Sequence, residues 1–326
     1  MRVPQTRREK RSAFTLIELM MVILIIAILL SLLSGAVMKF IRQGNITKNR
    51  TEIGQLESSV AAFNQAFGLD SKQGYFPSRF ILCENYSDYF NASGQPQSQL
   101  HRDSLAYLQR IFPKLWKYNT NAIDWNNNGV ADGPVYLEGS QCLVFFLGGI
   151  PTTAGGIPGC LGFSTSVSNP AAVGGPRKGP FYEFASGRLT LKPYNNGYFS
   201  YLDVYERVPF AYFSSNSSRN GYNRYLGTTD QNGTPITNSD CAGLGVWPYA
   251  EYIDATGATP NRYLNANKFQ IISAGEDMSF GPGTDLSVIA SGGTPYVWNT
   301  STAESIAQAG RDDQANFSDS RLSVAP

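Results

Sequence analysis

The sequence predicts an α+β protein in which a long N-terminal helix, transmembrane and then amphipathic, packs on an antiparallel β-sheet head with large loop insertions. Three observations predict this fold. Residues 19–38 contain neither a charge nor a proline. No proline occurs between residues 14 and 67, and the second half of that stretch is amphipathic. After residue 68 the chain breaks into short aromatic and β-branched segments that are separated by turn-forming residues.

The first element is a predicted membrane span over residues 14–38. The 20 uncharged residues 19–38 would form a helix roughly 30 Å long, which matches one bilayer core. Residues 1–13 carry five basic side chains and one acidic side chain, and such a flank indicates a cytoplasmic N-terminus. A cleaved secretory signal has an apolar region of only about 7–15 residues. A buried soluble helix, the other alternative, does not explain the basic flank.

The second element is a predicted amphipathic extension of the same helix over residues 39–68. Its apolar side chains recur at spacings of three and four, which places them on one face: Ile53, Leu56, Val60, Phe63 and Phe67. The polar residues expected on the other faces are Arg50, Glu52, Gln55, Glu57 and Asn64. The helix is expected to end near Gly68, a C-cap residue type. A coiled-coil stalk would need a longer stripe.

The remaining element is the head, residues 69–326. A short helix is expected within residues 105–118, interrupted at Pro113, after a polar loop at 85–104. Residues 151–180 are rich in Gly, Pro and Ser and indicate an irregular insertion. Aromatic and β-branched content between turns predicts strands at residues 142–147, 181–184, 188–191, 209–213 and 269–272.

Composition excludes several classes of function. The chain has 26 Lys and Arg against 25 Asp and Glu, so bulk charge does not favour nucleic-acid binding. A single histidine, His101, excludes two-histidine metal motifs, and its polar surroundings predict an exposed side chain. The sequence contains no GxSxG, no GxGxxG after a strand, no Walker loop and no CxxC. It therefore predicts a protein that is not an enzyme.

The four cysteines all lie in the segment that is predicted to be exported. Their even number allows two disulfides, and three pairings remain open. Four separate buried thiols are the alternative. The residues concerned are Cys83, Cys142, Cys160 and Cys241.

An acidic loop in the head has the spacing of the first part of an EF-hand calcium loop. Oxygen-bearing side chains occupy positions 1, 3, 5 and 9, namely Asp124, Asn126, Asn128 and Asp132. Gly129 stands at position 6, and Val130 would supply a backbone carbonyl at position 7. The twelfth position is Val135 instead of Glu, so a bidentate ligand must come from elsewhere, and Glu138 is one candidate. The alternative is an Asn/Gly turn cluster held by side-chain to backbone hydrogen bonds.

Glu18 is an anomaly at the start of the apolar stretch. An ionisable group within a membrane span is costly and points to a function. The alternative is that Glu18 lies at the level of the lipid headgroups.

The N-terminal residues carry a resemblance to a known family. Residues 11–19 (RSAFTLIEL) and the apolar run after them resemble the class III signal of type IV pilins and type II secretion pseudopilins. The resemblance implies that a prepilin peptidase cuts between Ala13 and Phe14 and methylates the new N-terminus. It also implies that Glu18, then the fifth residue, neutralises the terminal amine of a neighbouring subunit. The family prefers Gly where this chain has Ala13.

The head is loosely similar to the major pseudopilin. Residues 74–77 (GYFP) resemble the turn that follows its long helix, and residues 269–277 with 310–317 resemble its C-terminal calcium loop. The resemblance implies a second Ca²⁺ site at Asp277, Asp312 and Asp313, whereas Glu276 and the intervening insertion depart from the pattern. A solvated acidic tail is the alternative.

The resemblance implies a structural subunit of a pilus-like filament, with a type II secretion pseudopilin as the first candidate. Its parts would be a cytoplasmic leader (1–13), the span (14–38), the helix extension (39–68) and a periplasmic head (69–326). Its partners would be other pilin-like subunits in a homo- or hetero-polymer, the prepilin peptidase, the inner-membrane assembly platform and the membrane, without nucleic acid. It would reside in the bacterial inner membrane before it enters a periplasmic filament.

The large head insertions favour an alternative function. In this alternative the chain is a membrane-tethered periplasmic binding module that recognises a secreted substrate or a surface glycan. A third hypothesis, an enzyme that uses the signal only for export, receives no support from sequence motifs.

Overall fold

The computed structural model of the protein describes residues 15–69, 74–117, 121–216, 218–252, 262–281, 283–285, 310 and 312–318. The chain divides into two compact units, Met1–Thr47 and Lys48–Pro326. The first helix, α1 (Leu16–Ala66), contributes residues to both units. The predicted long helix is therefore confirmed, and the boundary between the units falls within the predicted amphipathic extension.

The part of α1 in the first unit is apolar on every side. Its large hydrophobic side chains from Leu16 to Met38 are 45–76% exposed. In water such a helix would expose apolar surface on all its faces. It is therefore suited to a lipid environment or to packing against other helices. Among the described residues, α1 is the one helix that is long and apolar enough to cross a membrane.

The part of α1 in the second unit forms one wall of the head's core. Ile53, Leu56, Val60 and Phe63 are at most 3% exposed, which confirms the predicted stripe, and Phe67 is partly buried beside them. The buried face is wider than the stripe, so two residues predicted on other faces, Glu52 and Asn64, are also buried. Asn49 is buried as well, and its amide donates to Ser273 Oγ at 2.8 Å and to Gln314 Oε1 at 3.0 Å.

The strands of the head are short and antiparallel. Two-stranded pairs are β1 (Phe80–Leu82) with β2 (Val135–Leu137), β3 (Pro151–Thr152) with β4 (Gly159–Cys160), β5 (Phe163–Ser164) with β6 (Arg177–Lys178), β7 (Leu189–Thr190) with β8 (Ser200–Tyr201), and β10 (Ala250–Tyr252) with β11 (Arg262–Tyr263). A three-stranded sheet has β12 (Phe269–Ser273) between β9 (Ala211–Ser214) and β13 (Gln314–Ala315). The head is therefore an α+β structure, as predicted.

One predicted strand is a helix. Residues 142–147 belong to α3 (Gly139–Gly148), whose ten residues are all buried. A short apolar run has no polar periodicity to distinguish a buried strand from a buried helix. Residues 181–184 are also predicted as a strand, but in the structure they form a loop. Phe181 and Tyr182 pack against the core from this loop. The predictions at 188–191, 209–213 and 269–272 overlap β7, β9 and β12.

The second helix, α2 (Gln99–Ile111), begins inside the segment that was predicted to be a loop. Ser98 caps it, since its hydroxyl accepts a hydrogen bond from the His101 amide. The first turn of α2 is rich in polar residues, so the apolar pattern of the sequence does not indicate where the helix starts. The helix ends before Pro113, as expected.

Aromatic rings join these helices into one core. The Phe63 ring of α1 lies 4.7–5.8 Å from the rings of Phe67, Phe76, Phe146 and Phe181, mostly edge to face. Such pairs stabilise beyond their buried area by about 0.5–1.5 kcal/mol each. A smaller hydrophobic cluster lies around the three-stranded sheet.

Candidate functional site

Glu18 closes the N-terminal end of α1. Its Oε2 accepts hydrogen bonds from the Thr15 amide and hydroxyl, both at 2.8 Å, and its own amide donates to Thr15 Oγ1 at 3.3 Å. This reciprocal arrangement is a capping box, which satisfies amide groups that lack partners at a helix start. The Glu18 carboxylate is thus already hydrogen-bonded within its own chain. Ala13 and Phe14, the predicted cleavage and methylation residues, lie outside the described residues.

The first acidic loop folds around its own carboxylates. Asp124 accepts from the amide of Asn128 at 3.2 Å and from that of Gly129 at 2.8 Å. The side-chain amides of Asn126 and Asn128 both donate to Asp132 Oδ2, at 2.6 and 2.8 Å. Gly129 has a φ of 74°, which a residue with a Cβ adopts at a cost. The structure therefore brings the four predicted side chains together.

Two further residues bound this loop. The Val130 amide donates to Asn128 Oδ1 at 2.8 Å, which holds the predicted backbone ligand within the turn. On the other side, Gly197 has a φ of 87°, and a Cβ there would lie 3.1 Å from the Asn126 side-chain nitrogen. The segment at Gly197 therefore limits the space on one side of Asn126.

Glu84 is a residue of this site that the sequence did not reveal. Its Oε2 accepts from the Asp132 amide at 2.8 Å, and the residue is 4% exposed. Its other oxygen, Oε1, is buried and accepts no hydrogen bond from the described residues. Burial raises the pKa of the Glu84 carboxyl; the Asp132 amide lowers it, and the nearby Asp124 and Asp132 carboxylates raise it further.

Strand pairing places Glu84 beside the loop. Antiparallel β1 and β2 pair Leu82 with Val135, so the residues after β1 lie next to those before β2. Two more bonds fix the contact: the Ile123 amide to Glu84 O at 2.9 Å, and Trp125 Nε1 to Cys83 O at 3.0 Å. Glu84 could have been found only by predicting that β1 pairs with β2, because the residue spacing within the loop does not indicate it.

Glu138, the ligand that the sequence suggested, makes its hydrogen bonds elsewhere. Its Oε2 accepts from the Tyr194 hydroxyl at 2.9 Å and from the Gly243 amide at 2.8 Å. Glu138 lies between β2 and α3, at the N-cap of α3.

The three C-terminal carboxylates also lie together. The Asp277 amide donates to Asp312 Oδ2 at 2.8 Å. Asp313 Oδ2 accepts from the Tyr249 hydroxyl at 2.8 Å and from the Gly281 amide at 3.0 Å, whereas its buried Oδ1 has no hydrogen-bond partner in the described structure. Burial raises the pKa of Asp313 to about 8, and the neighbouring acidic groups add to the shift.

The oxygen donors of both sites fit the chemistry of Ca²⁺. Neither site, however, has the arrangement of a metal centre as it stands. Within the described ranges no three His, Cys, Asp or Glu side chains are placed to hold one ion. Calcium binding therefore remains a prediction.

All four cysteines are described, and all are free thiols. Cys83, Cys142 and Cys241 are buried, and Cys160 is half-buried. The structure therefore has separate thiols, the alternative left open by the sequence, instead of two disulfides. Burial raises the pKa of Cys83 and Cys160 to about 12, which favours the protonated thiol over the nucleophilic thiolate.

His101 is buried, contrary to the expectation that it is exposed. The residue is 1% exposed, and its Nδ1 lies 2.9 Å from Ser98 Oγ. Because α2 begins before this position, His101 sits in the first helical turn and its ring packs near Tyr89 and Tyr136. Burial lowers its pKa.

Comparison with known proteins identifies the N-terminal segment. Residues 8–34 match the family model of the prokaryotic N-terminal methylation motif, which is the signature of the prepilin signal of type IV pilins and pseudopilins. The signal recognised from the sequence is thereby confirmed. This signal and the single apolar N-terminal helix fit a membrane-anchored protein. No curated protein and no solved structure matches the chain.

Proposed function

We propose that this chain is a structural subunit of a pilus-like filament, processed by prepilin peptidase between Ala13 and Phe14, and that the filament is a type II secretion pseudopilus. One observation carries the proposal. The prepilin signal at residues 8–34 includes the start of α1, which exposes apolar side chains on every face there. Lipid covers such a helix in the isolated subunit, and like helices of neighbouring subunits cover it in a filament.

Glu18 gives this packing a defined register. A carboxylate among apolar helices is stable only when a cation or several donors satisfy it. After cleavage, the terminal amine of Phe14 from a neighbouring subunit supplies such a cation. The basic leader supports a cytoplasmic N-terminus, and so an inner-membrane subunit with a periplasmic head.

The head supports a second candidate function, a membrane-tethered binding module. The insertion that carries β3 to β6 exposes Ile157, Val167 and Val173 at 60–74%. Exposed apolar side chains of this kind are available for contact with a secreted substrate or a surface glycan. In this alternative the N-terminal helix serves only as an anchor, and the charge of Glu18 is dispensable.

Three substitutions separate these functions, because Glu18 has both a local role and a proposed intersubunit role. Glu18→Gln retains a side-chain acceptor for the capping box but removes the charge. Thr15→Ala removes the Thr15 hydroxyl of the cap and keeps the charge. Glu18→Leu removes both the acceptor and the charge. Each variant is expressed in the native host in place of the wild-type chain, and membrane insertion and sheared filament yield are measured.

The filament hypothesis predicts that all three variants insert in the membrane. Glu18→Gln and Glu18→Leu should fail to polymerise, and Thr15→Ala should polymerise. Normal filament yield with Glu18→Gln would refute the charge pairing, and equal loss in Thr15→Ala and Glu18→Gln would assign Glu18 to helix capping alone. Absence of any filament containing the wild-type chain would favour the binding module.

A further inference from the structure

We propose that residues 124–132 and Glu84 form a binding site for one Ca²⁺ ion in the head. The proposed ligands are the side-chain oxygens of Asp124, Asn126, Asn128 and Asp132, the backbone carbonyl of Val130, and the carboxylate of Glu84. The site does not depend on the proposed filament, since every residue in it belongs to the second unit.

The loop already has the backbone that such a site needs. Asp124 accepts the amides of Asn128 and Gly129, which curls the chain around its first carboxylate. Gly129 permits the sharp turn through its positive φ. The next oxygen-bearing side chains then return to the same side of the loop, where the Asn126 and Asn128 amides meet Asp132 Oδ2. These hydrogen bonds alone are those of an ordinary turn. The observation that indicates a ligand is the unsatisfied carboxylate oxygen of Glu84.

Glu84 is a buried carboxylate that contacts this loop through one oxygen and has no hydrogen bond to the other. The Asp132 amide holds Oε2 at 2.8 Å, and Oε1 is buried without a partner in the described structure. A buried polar atom without a partner destabilises the fold, and more strongly when the group carries charge. A cation in the loop would satisfy Oε1 without further desolvation of the Glu84 carboxylate, which folding has already buried. Glu84 thus takes the place of the acidic ligand that position 12, Val135, lacks.

The charges of the site are also unbalanced. Among the ion pairs within the described residues, none involves Glu84, Asp124 or Asp132. The amides of Asn126 and Asn128 occupy Asp132 Oδ2 in place of a cation. Within the described residues the three carboxylates do not surround one point. The proposed site therefore requires that an entering ion turns the Asn126 and Asn128 oxygens inward. The ion must also draw the carboxylates of Glu84, Asp124 and Asp132 together.

The donor set favours Ca²⁺ over other common divalent ions. All six groups offer oxygen, whereas Zn²⁺ favours sites with Cys and His ligands. Mg²⁺ requires a tight octahedron and retains several waters, which suits neither a backbone carbonyl nor the amide ligands here. Ca²⁺ accepts six to eight oxygens in a flexible geometry.

The test is a calcium titration of the full chain in detergent micelles, by calorimetry and by Tb³⁺ luminescence. Trp125 lies within the loop and is fully buried, so its excitation should sensitise Tb³⁺ bound there. All proteins carry Asp277→Asn, so that the C-terminal carboxylates contribute less to the signal. We expect one site with a Kd of about 10⁻⁴ to 10⁻³ M for Ca²⁺, with Ca²⁺ displacing Tb³⁺.

Glu84→Gln is the decisive variant, because it keeps the size of the side chain and removes its charge. We expect its affinity for Ca²⁺ to fall by at least about tenfold, with circular dichroism unchanged. Asp230→Asn is the matched control: Asp230 also accepts the amides of an Asn-Gly turn, from Asn232 and Thr234, but this turn is exposed. Glu138→Gln should likewise leave the affinity unchanged.

The results decide between the site and an ordinary turn. A selective loss in Glu84→Gln supports the proposal. Equal affinity in Glu84→Gln and Asp230→Asn, or the absence of saturable Ca²⁺ binding in the parent protein, overturns it and leaves an Asn/Gly turn cluster. If Glu84→Gln fails to fold, Asp124→Asn replaces it in the same comparison, with the same expected loss.

Discussion

Arg188 forms a two-bonded ion pair with Glu52 of α1 in the interior of the head. Nη1 donates to Oε1 at 2.8 Å and Nη2 donates to Oε2 at 2.7 Å. The hydroxyls of Tyr182 and Tyr201 also donate to Oε1, at 2.8 and 2.9 Å. Parallel bonds of this kind fix geometry as well as charge, so the pair sets the position of α1 against the turn before β7.

The first prediction is that removing only one partner of the Glu52–Arg188 ion pair strongly destabilises the head. Glu52→Ala should reduce the free energy of unfolding by roughly 3–5 kcal/mol, because it leaves the Arg188 guanidinium buried without its carboxylate. Glu57→Ala, on the same helix but half-exposed, should change it by less than about 1 kcal/mol. Denaturant titrations of the full chain in micelles measure both values. Similar losses in the two variants would mean that Arg188 finds another partner.

The second prediction concerns the pH dependence of stability. Burial raises the pKa of Asp203 to about 6, although hydrogen bonds from Ser273 Oγ and the Tyr205 amide oppose the shift. Between the unfolded pKa of 3.8 and this value, the folded chain binds more protons than the unfolded chain. The stability that Asp203 contributes is therefore present below that window and is lost as the pH rises through about 6.

Asp203→Asn should remove this dependence, because the amide stays neutral. Relative to this variant, the wild-type protein should lose up to roughly 3 kcal/mol of unfolding free energy between pH 4 and pH 7. Urea midpoints across that range, measured for both proteins in the same micelles, give the difference. Parallel pH profiles would show that the Asp203 carboxyl titrates at its ordinary pKa.

The third prediction concerns processing. The mature chain should begin at N-methylated Phe14, so the intact mass of the membrane-purified protein should lack residues 1–13 and include one additional methyl group. Ala13→Gly should be cleaved at least as fast as the wild-type chain, because a smaller residue precedes the bond. A bulky residue in Ala13→Leu should slow cleavage. A wild-type mass that retains residues 1–13 would contradict the prediction.

The fourth prediction concerns the C-terminal carboxylates. If Asp277, Asp312 and Asp313 hold a second Ca²⁺ ion, a tenfold excess over Kd should stabilise the fold by about 1–1.5 kcal/mol, or a few degrees in Tm. Asp277→Asn should remove this share, whereas Asp230→Asn should not. Mg²⁺ should stabilise less than Ca²⁺ because it gives up its waters reluctantly. Identical Tm values in millimolar Ca²⁺ and in chelator would refute the site.

The long helix and its signal could be predicted because their evidence is local. Apolar spacing and the absence of proline define α1, and a short contiguous motif defines the signal. The strand predicted at residues 142–147 failed for the opposite reason. In α3 every residue is buried, so the sequence shows no polar face from which a periodicity could be measured.

In the candidate metal site, too, some residues could be predicted from the sequence and others could not. The loop from Asp124 to Asp132 was predictable, since its oxygens recur at fixed spacing along one turn. Glu84 was not, because the pairing of β1 with β2 brings it there. The pair of Glu52 and Arg188, 136 residues apart in sequence, was hidden for the same reason. Glu52 by itself has the pattern of an ordinary exposed helix position.

The hydrogen bonds of Asn49 have a mechanical consequence. Its amide connects α1 to Ser273 of β12 and to Gln314 of β13, so the helix is joined to two adjacent strands at one point. If the chain is the filament subunit proposed above, a pull along α1 would load both strands through this side chain. Each bond contributes only about 0.5–1.5 kcal/mol at equilibrium, but two bonds in parallel must yield together. The C-terminal strand would then bear force, although it lies far from the helix in sequence.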